Sequence, residues 1–427
     1  VVVDQELAKR IVAEVDRGFD DQIAFTQDLV RYPSQRGQEH TAQDFLHGAF
    51  ADRGLKMDRW TIDVGDIEHH PGFSPVNVSY DNAVNVVGTH RPRDEKGRSL
   101  ILNGHVDVVP VGPLDMWTTP PYEPRIEGDW LYGRGSGDMK AGIAANLFAL
   151  DALKRAGVQP AATLYMQSVT EEECTGNGAL ACLTRGYHAD AVLITEPTHD
   201  CLVRANVGVL WFQVEVRGRP AHVYESTVGS SAIIAAYSLI NALQALETEM
   251  NGEKGDHRHF EDHGKPITIN VGKIAGGDWA SSVPAWCRFD VRAGIYPGTS
   301  VEEAKQRVEQ ALRSACIDDP FLSNHPPSVT YNGFTAEGYT LEPGSDAEAC
   351  LAAAHQSVRS VALTDATMPA YLDARVAVLY DDTPALVYGP VSEHIHGFDE
   401  RVSISSTREV TRTVALFMAD WCGVEAV

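Results

Sequence analysis

Residues 100–153 constrain the chain more than any other stretch, because they set His105, Asp107 and Asp138 at two turns between packing elements. Ser99 to Leu102 is a short apolar run closed by Asn103 and Gly104, the pattern of a buried strand, so His105 is expected at a strand's carboxyl end. After Asp138, apolar residues fall at Ile143, Leu147, Leu150 and Leu153, and Gly157 follows where a helix terminates. Asp138 is therefore expected just ahead of a helix. Taken singly, a histidine and a helix-start aspartate are more often structural than functional. Here Asp107 lies two residues beyond His105 and on the same face of an extended backbone, which suits a metal-ligating imidazole and its orienting carboxylate.

The same arrangement recurs. The run AATLYMQSV (161–169) leads straight into Thr170, Glu171, Glu172 and Glu173, AVLIT (191–195) ends at Glu196, and ALVY (385–388) precedes GPVSEHIHGFDE. Sites in open α/β sheets lie at the carboxyl ends of strands, so His105, Glu172, Glu173, Glu196 and a C-terminal histidine are expected on one rim. Upstream, helical patterns at 4–30, broken near Gly18, and at 38–53 alternate with strand patterns at 55–64 and 85–89, which favours a layered α/β domain. Between 207 and 336 the rhythm changes. Strand 210–216, helix 230–246, strands 267–274 and 286–292, helix 300–315 and strand 329–331 give βαββαβ, the split order of a ferredoxin-like unit. That unit is expected as an insertion, with 1–206 and 337–427 forming the larger domain. The histidines of DHRHFEDH (256–263) read as a solvated loop within it.

At 427 residues and 44% apolar content the chain can bury a large core and is too long for one comfortable domain. Its formal charge of −24, without clustered Lys and Arg, argues against nucleic acid or anionic membrane as a partner. Seven cysteines, odd in number and without paired CxxC spacing, suggest neither a disulfide framework nor a structural zinc site. With no signal-peptide pattern and no apolar stretch of spanning length, a cytoplasmic protein is expected.

The residues together resemble the M20 metallopeptidase and deacylase family. The carriers are GHVDVVP (104–110), GRGSGDMKAG (133–142), TEEECTGNGA (170–179), TEPT (195–198), GRPAH (218–222) and HGFDE (396–400). The resemblance implies an α/β catalytic domain with a central mixed sheet flanked by helices, and an inserted lid and dimerisation domain at 207–336. It implies two divalent metal ions, zinc with cobalt or manganese as substitutes. His105 and Glu196 would complete one metal, Glu173 and His396 the other, with Asp138 bridging. Counting back from GNGA places the family's catalytic glutamate on Glu172 and its ligand glutamate on Glu173; a rival register shifts both back by one. His394 is read as a neighbour that binds no metal.

The implied reaction is hydrolysis of an N-acyl amino acid or related N-acyl amine by a metal-bridged hydroxide, with Glu172 as general base and acid and Asp107 in support. His222, supplied by the partner of a homodimer joined through the lid, would stabilise the oxyanion. Arg292 in CRFDVR matches an arginine that grips a substrate carboxylate, but the Leu363-Thr364-Asp365 segment lacks the glycine expected before its threonine. Acetyl, succinyl and formyl groups, a dipeptide, and an N-formyl-aminopyrimidine all remain as substrates. A noncatalytic binding protein on the same fold is the contrasting reading, and the retained ligand and base residues weigh against it.

Overall fold

The computed structural model describes residues 3–317 and 319–427. In chain order the main strands are β1 (Lys56–Thr61), β2 (Val84–His90), β3 (Leu100–His105), β4 (Leu164–Val169), β5 (Val192–Ile194), β6 (Gly208–Arg217), β7 (Ile269–Gly276), β8 (Trp286–Ile295), β9 (Ser328–Ala336) and β10 (Ala385–Val387). The helices are α1 (Gln5–Arg17), α2 (Phe19–Val30), α3 (His40–Ala51), α4 (Ala141–Arg155), α5 (Asn177–Thr184), α6 (Ala232–Gly252), α7 (Val301–Ile317), α8 (Asp346–Arg359), α9 (Ala374–Tyr380) and α10 (Ile404–Cys422). The expected break at Gly18 separates α1 from α2.

Six strands form a mixed sheet in the order β1-β2-β4-β3-β5-β10. Strands β4, β3, β5 and β10 are parallel to one another, whereas β2 is antiparallel to both neighbours. Both faces of β3 are buried, which is why its sequence is a continuous apolar run instead of an alternation. Helices α1, α4, α8 and α10 pack on one another over the sheet, while α5 and α9 meet elsewhere around a smaller apolar cluster. Because the four central strands point the same way, their carboxyl ends share one rim. Helix α4 must come close to that rim: a side chain at Gly142 would lie 2.1 Å from the Thr195 carbonyl oxygen, so only glycine permits the approach.

The second sheet, β7-β8-β6-β9, is antiparallel throughout, with α6 and α7 packed on one face. Strand β6 alternates as an antiparallel strand should: Leu210, Phe212, Val214 and Val216 enter the core beneath the helices, and Trp211, Gln213 and Glu215 face away. The connection order is the βαββαβ read from the sequence. Two strands run farther than their apolar patterns suggested, β8 to Ile295 and β9 to Ala336. Among the described residues no helix is long and apolar enough to cross a membrane, and all seven cysteines are free.

Candidate metal centre and cleft

Four parallel strands deliver the side chains. His105 is the last residue of β3, Glu172 and Glu173 lie in the turn after β4, Glu196 lies two residues beyond β5, and His396 lies in the loop after β10. Asp138 sits in a kinked segment of non-helical backbone between the GRGSG turn and α4. Glu171 and His396 both adopt left-handed backbone (φ 67° and 60°) without being glycine, a costly conformation that clusters at functional loops.

The His105 ring is buried, and its Nδ1 lies 2.9 Å from the Asp107 backbone carbonyl oxygen. A carbonyl only accepts, so Nδ1 carries a proton and Nε2 is the nitrogen that points at the carboxylates. The carboxylate of Asp107 is farther away, at 3.6 Å. The carbonyl and the carboxylate of Asp107 both face Nδ1, and the carboxylate also accepts the backbone N–H groups of Glu172 (3.4 Å) and Glu173 (3.1 Å). Asp107 thereby fastens the histidine strand to the glutamate turn.

His105 Nε2 faces Asp138 Oδ1 at 3.0 Å, Glu196 Oε1 at 3.5 Å and Glu172 Oε2 at 3.9 Å. On the other side His396 Nε2 faces Glu173 Oε2 at 3.1 Å and Asp138 Oδ2 at 3.3 Å. The two oxygens of Asp138 therefore face two different imidazoles. Its backbone is held in turn by Glu400, whose Oε1 accepts from the N–H groups of Gly137 (3.0 Å) and Asp138 (3.1 Å) and whose Oε2 pairs with buried Arg134 at 2.6 Å.

The charges explain what the arrangement lacks. Burial, together with the neighbouring Glu196, Asp373 and Glu173 charges, pushes the Glu172 carboxyl well above its usual range, against the pull of His105. Burial likewise raises Glu196 to about 8. Asp138 is also buried, yet the imidazoles on both sides hold it ionised, well below the usual range. His396 is raised to about 11, chiefly by Glu173. Burial opposes charge on His105, but Glu196 and Glu172 outweigh it and raise its pKa. Four carboxylates this close cannot all be ionised beside two neutral imidazoles without added positive charge, and divalent cations would supply it. Imidazole nitrogen and carboxylate oxygen are donors that suit zinc and its neighbours, so the residues fit a pair of such ions.

Glu171 is used differently. Its carboxylate accepts from Arg36 Nε (2.6 Å) and Nη2 (2.8 Å), from the Tyr80 hydroxyl (2.6 Å) and from the Thr175 hydroxyl (2.9 Å), which leaves it no free face toward the cleft. His394 is exposed, and among the described residues its side chain makes no hydrogen bond with this group.

A cavity of about 470 Å³ opens in front of this group, between the two sheets. Arg292 and Asn270 line it from the second sheet. Burial lowers the Arg292 guanidinium to about 10, and among the described residues it makes no ion pair, donating only to the carbonyls of Pro369 (3.2 Å) and Thr268 (3.4 Å). Asp365 pairs with Arg204 at 2.9 Å, and the cavity wall comes from Met368 and Ala370 to Leu372. His222 is exposed, lies outside the cavity of its own chain, and accepts at Nδ1 from the Tyr224 N–H at 3.1 Å.

Residues not singled out from the sequence also contribute. Arg134 and Glu400 stood inside two of the quoted motifs, and only their pairing was hidden. Asp373, buried and accepting from the Tyr371 hydroxyl at 2.9 Å, and the ring wall of Trp211, Phe334 and Tyr371 carried no motif at all.

Comparison with known proteins bears on this centre. The family described as Peptidase family M20/M25/M40 matches residues 101–420. The N-formyl-4-amino-5-aminomethyl-2-methylpyrimidine deformylase of Halalkalibacterium halodurans is 29% identical, covering 97% of each chain. A succinyl-diaminopimelate desuccinylase of Dinoroseobacter shibae is 26% identical over 94% of this chain and 99% of its own. Among solved structures, the dipeptidase Dug1p of Saccharomyces cerevisiae superposes with a TM-score of 0.77 at 15% identity, covering 97% of this chain and 98% of its own. That last likeness speaks to the fold alone.

Proposed function

The chain belongs to peptidase family M20/M25/M40, and from that premise we propose that it is a metal-dependent hydrolase that cleaves an N-acyl amine or N-acyl amino acid into a carboxylate and a free amine. The observation that carries the reading is the division of Asp138: one oxygen faces His105, which also faces Glu196, and the other faces His396, which also faces Glu173. In this reading His105, Glu196 and Asp138 hold one ion and Glu173, His396 and Asp138 the second, zinc in both. When bound, the ions supply Lewis acidity toward the amide carbonyl and make water more acidic.

The chain's own residues do the rest. Glu172 stands at the cleft with its carboxylate 3.9 Å from His105 and, among the described residues, its side chain forms no hydrogen bond, so it is placed to take a proton from the attacking water and pass it to the departing amine. Asp107 keeps Glu172 and Glu173 in register through their backbone N–H groups. Arg292 offers free N–H donors to the substrate's acceptor end. The segment 207–336 acts as lid and dimerisation unit, with 1–206 and 337–427 as the catalytic domain. His222 from the partner subunit's lid donates to the oxyanion. Exposed Ile234 and Tyr237 on α6, Ile274 on the edge strand β7, and Trp279 provide an apolar surface suited to a second copy. Free cysteines accord with the reducing cytoplasm.

The test is metal analysis of the purified protein beside turnover of N-formyl, N-acetyl and N-succinyl amines with and without chelator. The expected result is up to two transition-metal ions per chain and loss of amide hydrolysis on chelation. Full activity in metal-free protein would overturn the proposal.

A further inference from the structure

The wall of the cavity that faces the metal ligands is aromatic, and it is built by an irregularity in the second sheet. Strand β9 pairs Thr335 with Leu210 and Tyr331 with Phe212, so Trp211 alone stands opposite three residues, 332–334. Bulges of this kind turn side chains toward a site. Here Gly333, at φ 115°, supplies backbone that other residues rarely adopt, and a side chain there would lie 2.6 Å from the Trp211 ring. The result is a cluster separate from either main core: Trp211 meets Phe334 edge-on (centroids 5.3 Å, 88°), and Phe334 lies 4.5 Å from Tyr371. Tyr371 is locked in place, its hydroxyl donating to Asp373 and occupying the space where a side chain at Gly176 would stand. Two strands of the second sheet and a distant loop thus converge to present fixed ring faces and edges, with Arg292 at one side of the same cavity and the Arg375 guanidinium 5.9 Å from the Tyr371 ring centroid.

Resting on the hydrolase reading above, we infer that Trp211, Phe334 and Tyr371 form a specificity subsite that selects substrates whose amine half carries a planar aromatic ring. Preformed rings favour a flat, polarisable partner by stacked or edge-on contact, at little ordering cost. A saturated ring of equal size fills the space without that contact.

The experiment compares kcat/KM for an N-acyl aminomethyl-arene, an N-acyl aminomethyl-pyrimidine and the N-acyl cyclohexylmethylamine, in whichever acyl series turns over, with N-acyl leucine as the carboxylate arm. Wild type should prefer the planar rings over the cyclohexyl compound by about ten-fold. Trp211→Leu, Phe334→Leu and Gly333→Ala should each bring that ratio toward one, and because the ratio is taken within one sample, partial unfolding cancels. A wild-type ratio near one, a ratio untouched by all three substitutions, or N-acyl leucine as the best substrate would overturn the subsite while leaving amide hydrolysis intact. If no N-acyl compound is hydrolysed by metal-replete protein, the hydrolase reading fails and the subsite falls with it.

Discussion

The two walls of the cleft are made on different terms. The rim of the first sheet carries its chemistry on clustered carboxylates and imidazoles, several of them steered by backbone groups: a carbonyl for His105, amides for the Asp107 and Glu400 carboxylates. The facing wall has few such ties. Arg292 has no acidic partner among the described residues, His222 stands in solvent, and the ring cluster is held by packing and a bulge. The rim is rigid because charge so poorly solvated must be placed accurately. The facing wall is where one chain can differ from its relatives without disturbing that charge.

The strongest way to test this division is Glu172→Gln. It should lower kcat by about 10² to 10⁴-fold while metal content stays near that of wild type, since the change removes proton transfer and no proposed ligand. Metal analysis and kinetics on one preparation check it, and metal loss tracking Glu172 would mean that the register is off by one residue. On the facing wall, His222→Ala should cost about 10² to 10³-fold in kcat, the scale of one oxyanion donor, with a Tm close to wild type because the residue is exposed. Unchanged turnover would remove His222 from the reaction.

Glu171→Gln, one residue from the proposed base, should act on stability instead. Breaking a buried pair with Arg36 costs about 3 kcal/mol, read as a lower denaturation midpoint with metal content kept in the folded fraction. The smallest effect concerns Glu39, buried beside the rim. Burial, reinforced by the Asp107 charge, raises its carboxyl to about 8. A carboxyl raised on folding binds more protons folded than unfolded, so its contribution is full below about pH 4.5 and is lost as pH rises toward 8. Glu39→Gln should therefore gain stability relative to wild type at pH 8, by on the order of 1 kcal/mol, with the gain shrinking toward pH 5. Denaturation midpoints at the two pH values check the sign.

What the sequence revealed and what it hid follow the same division. The rim was legible because strand ends and tight turns are local: a buried apolar run followed by His105, Glu173 or Glu196 already states where the side chain emerges. The three adjacent glutamates have different surroundings, with Glu171 absorbed by Arg36 and Glu173 beside His396. Spacing brought Asp107 to His105 but could not tell that its backbone carbonyl, at 2.9 Å, would come nearer the ring than its carboxylate, at 3.6 Å. The ring wall was invisible for a different reason. Trp211, Phe334 and Tyr371 lie on segments far apart in the chain, and the residues opposite Trp211 depend on a register shift that alternation alone does not disclose.

The divided carboxylate of Asp138 has a consequence for how the protein fills with metal. On the proposed dinuclear reading, Asp138 would contribute to both sites, so Asp138→Asn should weaken metal binding at both, whereas Glu196→Gln and Glu173→Gln should each weaken one. Metal content of the three variants, measured side by side, checks it.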